Sequence, residues 1–297
     1  MLQEMIKCGK NEHFEYNRFT IYDPKEREIC AAPYMQRVLH HALMNVCGDL
    51  FDKRQIHDSY ACRKGKGTYA AIDRAMNLHR KYDWCIKMDI RKYFDSIDHL
   101  VLKRQLASMF KERELLMLFY DIIDSYSTSQ GKGLPIGNLT SQYFANQYLC
   151  RLDHYAQETL KVKGIVRYMD DVLIYGNDKS LLMKQAKEIR NYLEEHLYLQ
   201  LKVLDIRKTT QTTPFLGYRL KRNMLLLGKR SKRRYKEKMM DFVEKFESNM
   251  WTEDDYRRHL SPVIAFVMKA QCLVFRKTIM EKVKCKRNFL KRAALTA

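Results

Sequence analysis

The spacing of apolar residues along the chain predicts a mixture of helices and strands. After Pro33, apolar positions recur every three or four residues over 34–50, which predicts a helix. By the same criterion, helices are predicted at 68–81, 99–127, from a turn at 131–137 to residue 161, 179–199 and 230–295. Short apolar or alternating runs predict strands at 84–90, 202–207, 213–220 and 224–227. Mixed strands and helices followed by an all-helical tail predict an α+β unit with a helical appendage.

Two adjacent aspartates interrupt the apolar run Val-Arg-Tyr-Met-Asp-Asp-Val-Leu-Ile-Tyr at 166–175. Neighbouring strand residues point to opposite faces, so Asp170 and Asp171 can serve one site only if a tight turn lies here. The run therefore predicts a β-hairpin with both carboxylates at its tip. Two adjacent like charges are unfavourable until a cation lies between them, so we expect a divalent metal ion at this tip.

A third aspartate, Asp89, lies near the end of the predicted buried strand 84–90. Taken alone, an aspartate at a strand end is more often a turn or cap residue than a metal ligand. Together with the Asp170–Asp171 pair, it completes a carboxylate set of the kind that holds two metal ions for phosphoryl transfer. Three neighbouring cations are interpreted as surface charge or contacts to nucleic acid: Lys87, Arg91 and Lys92.

Charge is the unusual feature of the composition. The 297 residues include 55 basic and 35 acidic ones, a net charge of +20, whereas the apolar share of 46% is ordinary for a globular protein. The stretches 221–238 and 276–292 hold nine and eight Lys or Arg residues, with one Glu each. Solvated helix faces usually alternate Glu with Lys, so these stretches favour a polyanionic partner, and nucleic acid over a membrane.

Other features narrow the class of protein further. No apolar run approaches the roughly 20 residues of a membrane-spanning helix, and the N-terminus lacks a signal-peptide core, so we expect a cytoplasmic location. The eight cysteines form no close pairs with metal-ligand spacing. The adjacent histidines His40 and His41 cannot share a helix face. We therefore expect reduced thiols and no zinc site.

A series of ordered motifs resembles those of reverse transcriptases. In chain order they are Lys-Met-Asp-Ile-Arg-Lys-Tyr-Phe-Asp-Ser-Ile at 87–97, Gly-Leu-Pro-Ile-Gly-Asn-Leu-Thr-Ser-Gln at 133–142, Tyr-Met-Asp-Asp at 168–171, Lys208-Thr209 and Phe215-Leu-Gly-Tyr218. Their order, spacing and chemistry agree together, which is far more specific than Tyr-x-Asp-Asp alone. The resemblance implies a polymerase right-hand fold. Fingers and a palm, an antiparallel sheet backed by helices, are expected in 1–227, and a basic helical thumb in 228–297.

Two segments resemble a narrower group, the reverse transcriptases of diversity-generating retroelements. They are Ser-Tyr-Ala-Cys-Arg-Lys-Gly-Lys-Gly-Thr at 59–68 and Ile-Gly-Asn-Leu-Thr-Ser-Gln at 136–142. Retroviral and group II intron enzymes typically carry Gln where Ile136 stands and Ser-Pro where Ser141-Gln142 stands. The resemblance implies mutagenic copying with errors at template adenines. We expect Ile136 to contribute, because it supplies shape without a polar check on the base pair.

The resemblance also implies a role for each motif residue. Asp89, Asp170 and Asp171, with the carbonyl of Ile90, are expected to bind two Mg²⁺ ions, for which Mn²⁺ can substitute. The residues expected at the incoming nucleotide are Arg63, Lys64, Phe94, Ile136, Gly137 and Lys208. The expected primer grip is Phe215, Leu216, Gly217 and Tyr218. The expected phosphate contacts of the thumb are Lys229, Arg230, Lys232, Arg233 and Arg234.

Phe94 and the loop 63–67 have simpler interpretations as well. In the family an aromatic side chain at the position of Phe94 is a steric gate that excludes a ribose 2′-hydroxyl. Without the resemblance, we would interpret Phe94 as an ordinary core aromatic. The Lys- and Gly-rich loop 63–67 could equally be a flexible surface loop.

The partners implied by the resemblance are an RNA template, a DNA or RNA primer, deoxynucleoside triphosphates and a small basic oligomeric accessory protein, in a bacterial or phage-encoded system. About 75 residues follow the primer grip, too few for both a thumb and a ribonuclease H or integrase domain, so we expect neither of those domains. Two alternatives stay open. One is a reverse transcriptase of group II intron or retron type. The other is a non-catalytic RNA-binding protein on a polymerase scaffold, against which the three intact aspartates count.

Overall fold

The computed structural model describes residues 16–22 and 26–296, with side chains as far as residue 284 and that of Lys286. Its strands are β1 (Asn17–Ile21), β2 (Arg27–Ala31), β3 (Trp84–Ile90), β4 (Gly164–Tyr168), β5 (Asp171–Gly176), β6 (Leu201–Lys208), β7 (Thr213–Phe215), β8 (Tyr218–Lys221) and β9 (Met224–Leu227). Its helices are α1 (Tyr34–Arg54), α2 (Thr68–Lys81), α3 (Tyr93–Ser96), α4 (His99–Ala107), α5 (Arg113–Asp124), α6 (Leu139–His154), α7 (Lys179–His196), α8 (Lys229–Glu247), α9 (Glu253–Met268) and α10 (Leu273–Thr296). A π-helical turn, Tyr155–Thr159, extends α6.

The central sheet has the strand order β4-β5-β3-β6, and β5 is antiparallel to both of its neighbours. β5 is buried at every position after Asp171. This explains its unbroken apolar sequence, since a strand covered on both faces needs no polar alternation. The strands β1 and β2 form a separate hairpin, and β7-β8-β9 form a third sheet.

One core packs the central sheet against the helices α1, α4, α5, α6 and α7. Its centre is a group of phenylalanine rings whose neighbouring centroids lie between 5.3 and 6.2 Å apart: Phe51, Phe110, Phe119 and Phe144. Edge-to-face contacts of this kind add to the burial of large apolar side chains. The strands β3 and β5 therefore lie on a well-packed core.

Packing divides the chain into two compact units. The first contains the described residues up to Arg74 together with Trp84–Ile206, and the second contains Ala75–Asp83 and the described residues from Arg207 onward. The predicted boundary after residue 227 marks the end of the sequence motifs and stays a prediction. By packing, the third sheet belongs with the helices α8, α9 and α10.

The helices of the second unit pack through aromatic side chains. Tyr235 and Phe242 of α8 are buried, and Phe246 is half-buried. The ring of Tyr235 lies 5.8 Å from that of Phe275 on α10, and Phe246 lies 5.0 Å from Tyr256 on α9. The prediction that these α8 residues form an apolar packing stripe is confirmed.

The structure also corrects several predicted elements. The segment 99–127 forms two helices, because the chain turns at 108–112. The predicted strand 213–220 is a tight hairpin, and the β1–β2 hairpin was not predicted at all. Within the described residues, no helix combines the length and apolarity needed to cross a membrane. The cysteines whose side chains are described are free thiols, and all but Cys62 are buried.

Candidate active site

The β4–β5 hairpin turns at Met169 and Asp170. Tyr168 pairs with Asp171, so the loop has two residues, and Met169 adopts a left-handed backbone with φ 53°. The favoured two-residue hairpin turns have a positive φ at this first loop position. The predicted hairpin is confirmed, with Asp170 in the turn and Asp171 as the first residue of β5.

Strand β3 brings Asp89 to the same place. Asp89 pairs in register with Asp171 on the antiparallel strand β5. Directly opposite residues share one face of a sheet, with Cβ atoms about 4.5–5.5 Å apart. The N–H of Ile90 donates to the carbonyl of Asp170 with an N···O distance of 3.4 Å, which ties the turn to the end of β3. Three aspartates from two distant parts of the sequence thus lie at the same end of the neighbouring strands β3 and β5.

Lys87 is the cation of this site. It lies two residues before Asp89 on the same face of β3, and its Nζ donates to Oδ2 of Asp171 at 3.1 Å. The Lys87 and Asp171 side chains are only 14% and 19% exposed. The interpretation of Lys87 as surface charge was therefore wrong, because Lys87 lies diagonally across the strand pair from a carboxylate and is largely buried with it. Its alternative role as a contact to nucleic acid stays a prediction.

The negative charge of the Asp171 carboxylate is only partly balanced by its surroundings. Burial raises its pKa to about 6, the Lys87 ammonium opposes this rise, and the charges of Asp89 and Asp170 add to it. The Oδ1 atom is buried and makes no hydrogen bond. An ionised oxygen in such a place is costly without a partner, and a divalent cation is a partner of the right charge.

The donor set fits a metal ion that keeps ligands from outside the protein. Among the described residues, no three His, Cys, Asp or Glu side chains are gathered closely enough to form a complete ligand cluster. Mg²⁺ is usually bound by one or two carboxylates, with water and phosphate oxygens completing its octahedron. The aspartates at this edge match that pattern and do not match an all-protein cage.

Phe94 lies on the short helix α3 directly after β3. It is half-buried and packs against the core, and its ring lies 5.8 Å from that of the buried Tyr93. Its carbonyl accepts a hydrogen bond from the N–H of Leu134 at 2.9 Å, which joins it to the 133–142 motif. The position is compatible with a steric gate and equally with a core aromatic.

The loop that carries Ile136 and Gly137 is fastened to β2. The N–H of Cys30 donates to the carbonyl of Ile136 at 2.8 Å. Gly137 has φ 130°, and a Cβ there would lie 2.9 Å from Cγ2 of Ile29. Only glycine combines this backbone conformation with so close an approach. The unpredicted β1–β2 hairpin therefore positions two of the predicted nucleotide-binding residues.

Arg63 and Lys64 differ in their surroundings. The Arg63 side chain is 11% exposed, pairs with Asp52, and donates to the carbonyls of Ile56 and Ser59 at 2.7 and 2.9 Å. These bonds hold the preceding loop together, so a phosphate contact requires Arg63 to exchange them. Lys64 is exposed. The roles of both residues stay predictions.

The second unit, considered by itself, holds the remaining predicted residues. Phe215 and Tyr218 pair around Leu216 (φ 46°) and Gly217 (φ 85°), so the predicted primer grip is a two-residue hairpin turn with both φ values positive. Phe215 and Tyr218 are each 1% exposed and anchor this turn. Exposed side chains in this unit are Lys208, Lys229, Arg230, Lys232 and Arg233, whereas Arg234 is half-buried.

Comparison with known proteins decides the family. Residues 23–220 match the family model described as reverse transcriptase (RNA-dependent DNA polymerase). The chain belongs to the reverse transcriptase family. Domains of this family generally use divalent metal ions, and Asp89, Asp170 and Asp171 stay their predicted ligands in this chain.

Two curated proteins illustrate the relatives of this reverse transcriptase domain. The putative COX1/OXI3 intron 1 protein of Saccharomyces cerevisiae is 24% identical over 177 residues, which cover 56% of this chain and 21% of the relative. Nuclear intron maturase 4, mitochondrial, of Arabidopsis thaliana is 26% identical over 144 residues, which cover 44% of this chain and 17% of the relative. The chain thus spans only about a fifth of the length of these relatives.

Solved structures confirm the fold. Apo telomerase from Candida tropicalis is similar with a TM-score of 0.57 and 12% identity, over 95% of this chain and 64% of that one. Telomerase from Candida albicans, in complex with a fragment of telomeric RNA, has a TM-score of 0.53 and 11% identity, over 93% and 56% of the two chains. The likeness establishes the predicted polymerase right-hand fold of this reverse transcriptase.

Two buried cations of this reverse transcriptase were not recognised as buried from the sequence: Lys87 was interpreted as surface charge or a nucleic-acid contact, and Arg167 was not singled out. Each is the single cation of its strand, and the only other charged residue in these two strands is Asp89. A buried charge is tolerated only with a partner, so each was a signal that a carboxylate must lie nearby. Asp171 is that partner for Lys87, and Asp153 is that partner for Arg167.

Proposed function

We propose that this chain is an RNA-directed DNA polymerase that extends a primer with deoxynucleotides by two-metal phosphoryl transfer. The observation that carries the proposal is the placement of Asp89, Asp170 and Asp171 at one end of the β3–β5 strand pair, where Oδ1 of Asp171 is buried without a hydrogen-bond partner. Membership of the reverse transcriptase family supplies the reaction class.

The three aspartates, with the carbonyl of Ile90, would hold two Mg²⁺ ions, or Mn²⁺ in their place. When bound, such ions acidify the primer 3′-hydroxyl and stabilise the pyrophosphate leaving group. The protein's own contribution is position. The strand register sets Asp89 against Asp171, the Ile90–Asp170 hydrogen bond fixes the turn, and Lys87 restrains one carboxylate oxygen.

The other motif residues would bind the substrates. Exposed Lys64 and Lys208 are suited to the triphosphate, because an ammonium is a compact partner for phosphate. Phe94 would exclude the ribose 2′-hydroxyl. The exposed cations at the start of α8 would hold the phosphates of an RNA–DNA hybrid without reading its sequence.

Within this function we infer a role in a diversity-generating retroelement. The support is the sequence of 59–68 and the apolar Ile136, which offers no hydrogen bond to a base pair. Error-prone copying at template adenines would follow from weaker geometric checking. The proposed partners in this role are the template RNA, deoxynucleotides and a small basic accessory protein.

A reverse transcriptase of group II intron type is a second candidate. The observation in its favour is the character of the curated relatives, which are named as an intron protein and an intron maturase. The two candidate functions use the same proposed catalytic site, but they differ in how accurately the enzyme is expected to copy its RNA template.

Primer extension on a homopolymeric and then a mixed RNA template, with the products sequenced, tests both the polymerase activity and the choice between the two candidate types. We expect Mg²⁺-dependent deoxynucleotide addition that is lost in the double variant Asp170→Ala/Asp171→Ala. It should persist in Asp49→Ala, which changes an exposed aspartate on α1. Errors concentrated at template adenines would support the retroelement role. Accurate copying would support the intron type. RNA binding without extension in any divalent metal would contradict the polymerase proposal.

A further inference from the structure

Arg167 is fully buried, although it carries a charge. It lies on β4 three residues before Asp170, and it heads the group of largest fully buried side chains in the described part of the chain. A guanidinium so far from solvent is costly unless carboxylates and hydrogen-bond acceptors surround it. Its partners therefore show which parts of the molecule it holds.

The guanidinium is paired with Asp153 on α6. Its Nε donates to the two carboxylate oxygens at 2.9 and 2.8 Å, and Nη2 lies 2.7 Å from Oδ2. The Asp153 side chain is itself 1% exposed. This contact joins the hairpin strand β4 to the helix beneath the sheet.

The remaining donors of Arg167 reach two other segments. Nη1 donates to Oδ1 of Asn146 on α6 at 3.0 Å and to the carbonyl of Met169 at 3.4 Å. Nη2 donates to Oε1 of Gln55 at 2.8 Å. Met169 is the left-handed turn residue that immediately precedes Asp170, and Gln55 begins the segment that leads to Arg63.

The main chain of Arg167 binds the same segment. Its N–H donates to the carbonyl of Asp58 at 2.9 Å, and its carbonyl accepts from the N–H of Tyr60 at 2.9 Å. One residue thus connects three parts of the first unit: α6, the turn that bears Asp170, and the segment 55–60. The two segments other than α6 are those that carry the proposed metal ligands and lead to the proposed triphosphate loop.

We propose that Arg167 is a positioning residue, which holds the Asp170 turn and the segment 55–60 in a fixed relation to α6. The inference rests on the proposed function of Asp170 and Asp171. Charge alone does not suffice for this task, because the contacts use the fixed fork of the guanidinium, which a lysine ammonium cannot reproduce. Displacing a metal ligand by a fraction of an ångström is enough to weaken a site of this kind.

Three variants separate positioning from stability. Arg167→Lys keeps the charge and loses the fork. The double variant Arg167→Met/Asp153→Leu removes both charges together, which avoids a buried unpaired carboxylate and often preserves folding. Gln105→Met is the matched control: Gln105 is also buried and donates to a carbonyl, that of Tyr148, but it lies on α4, which carries none of the proposed site residues.

Each variant is measured for thermal unfolding, for rate per active site from burst titration, for the Mg²⁺ concentration at half-maximal rate, and for Mn²⁺ binding by electron paramagnetic resonance. We expect Arg167→Lys and the double variant to need about tenfold more Mg²⁺ and to turn over about 10- to 100-fold more slowly per active site. Mn²⁺ binding should weaken in parallel. The control should change only the melting temperature and the fraction of active molecules.

Gln55→Met keeps the proposal testable even if an Arg167 variant folds poorly, because it removes a single bond from the network. We expect it to raise KM for deoxynucleotides while the Mg²⁺ requirement stays at the wild-type value. Wild-type values per active site in both Arg167 variants would overturn the proposal and leave Arg167 a purely structural residue. If the wild-type protein does not polymerise, the proposed function fails, and weaker Mn²⁺ binding by the variants still supports the positioning role.

Discussion

At the scale of single residues, Lys87 neutralises part of the charge that three aspartates bring together. Its ammonium takes one oxygen of Asp171 and leaves the other without a hydrogen bond. The pair is mostly shielded from solvent, so screening does little to weaken it. Lys87 and a bound cation would therefore both stabilise the ionised form of the Asp171 carboxylate.

Replacing Lys87 by Met should destabilise the metal-free protein by about 1–3 kcal/mol, because Asp171 loses its counter-charge. Added Mg²⁺ should then stabilise Lys87→Met more than it stabilises the wild type. Chemical unfolding in EDTA and in Mg²⁺ measures both quantities. Equal stabilisation of the two proteins by Mg²⁺ would show that the metal does not bind at this carboxylate.

His40 makes stability depend on pH. Burial lowers its pKa from 6.5 to about 4 in the folded protein, and the Nδ1 atom has no hydrogen-bond partner. Because the unfolded chain binds the proton more readily, the contribution of neutral His40 is fully present above pH 6.5. It is lost progressively as the pH falls from 6.5 towards 4, by up to about 3 kcal/mol.

His40→Leu should therefore lose less stability than the wild type between pH 6.5 and pH 4, as measured by urea unfolding at a series of pH values. His41→Gln changes the exposed neighbour on the same helix and removes only the smaller cause of the lowered His40 pKa, the charge of His41, so this control should keep most of the wild-type pH dependence. An unchanged pH dependence in His40→Leu would contradict this account of the buried imidazole.

At the scale of elements, two tight turns set the geometry of the site. The Met169–Asp170 turn presents the aspartates, and the loop at Ile136–Gly137 lies against β2. Both depend on backbone conformations with positive φ. Such positions tolerate few residue types, so the site is sensitive to substitutions that make no contact with a substrate.

Gly137→Ala should destabilise the protein by about 1–3 kcal/mol, since the new Cβ meets Ile29 and the backbone of Cys30 at φ 130°. Gly131→Ala is the matched control. Gly131 also has a positive φ, of 68°, but a Cβ there meets nothing within 4 Å, so only about 1 kcal/mol is expected. Thermal unfolding compares the two, and equal losses would argue against close packing of the 136–138 loop on β2.

The elements differ in how well the sequence predicts them. The Asp170–Asp171 hairpin was predictable because two adjacent carboxylates in an apolar run need a turn. The β1–β2 hairpin was missed, because its strands are mostly exposed and the alternation of polar and apolar residues is confined to four residues of β1, at 18–21. The contacts of Lys87 and Arg167 depend on strand register, which a single sequence does not fix when a strand is buried on both faces.

At the scale of the whole molecule, the basic residues of the last quarter of the chain dominate the charge. The exposed cations at the start of α8 include Arg230 and Arg233, and the latter is 3.6 Å from Glu237. Sequence composition was enough to predict a polyanionic partner here. No local pattern in the sequence encodes which of these cations would contact phosphate.

The double variant Arg230→Gln/Arg233→Gln should weaken template–primer binding and reduce its dependence on salt. The slope of log K against log salt concentration should fall by roughly 0.7 to 0.9 for each lost phosphate contact. Fluorescence anisotropy at several salt concentrations measures this slope. Arg257→Gln, whose guanidinium is paired with Glu253 on α9, is the control, and an equal change in that variant would exclude a specific role for α8.

The central claim is that Asp89, Asp170 and Asp171 share metal ions at the end of the β3–β5 strand pair. Anomalous diffraction from crystals grown with Mn²⁺, an RNA template, a DNA primer and an incoming nucleotide tests it most directly. We predict anomalous peaks in contact with the carboxylates of all three residues. Peaks only elsewhere, or a structure in which Asp89 does not lie opposite Asp171, would contradict the account.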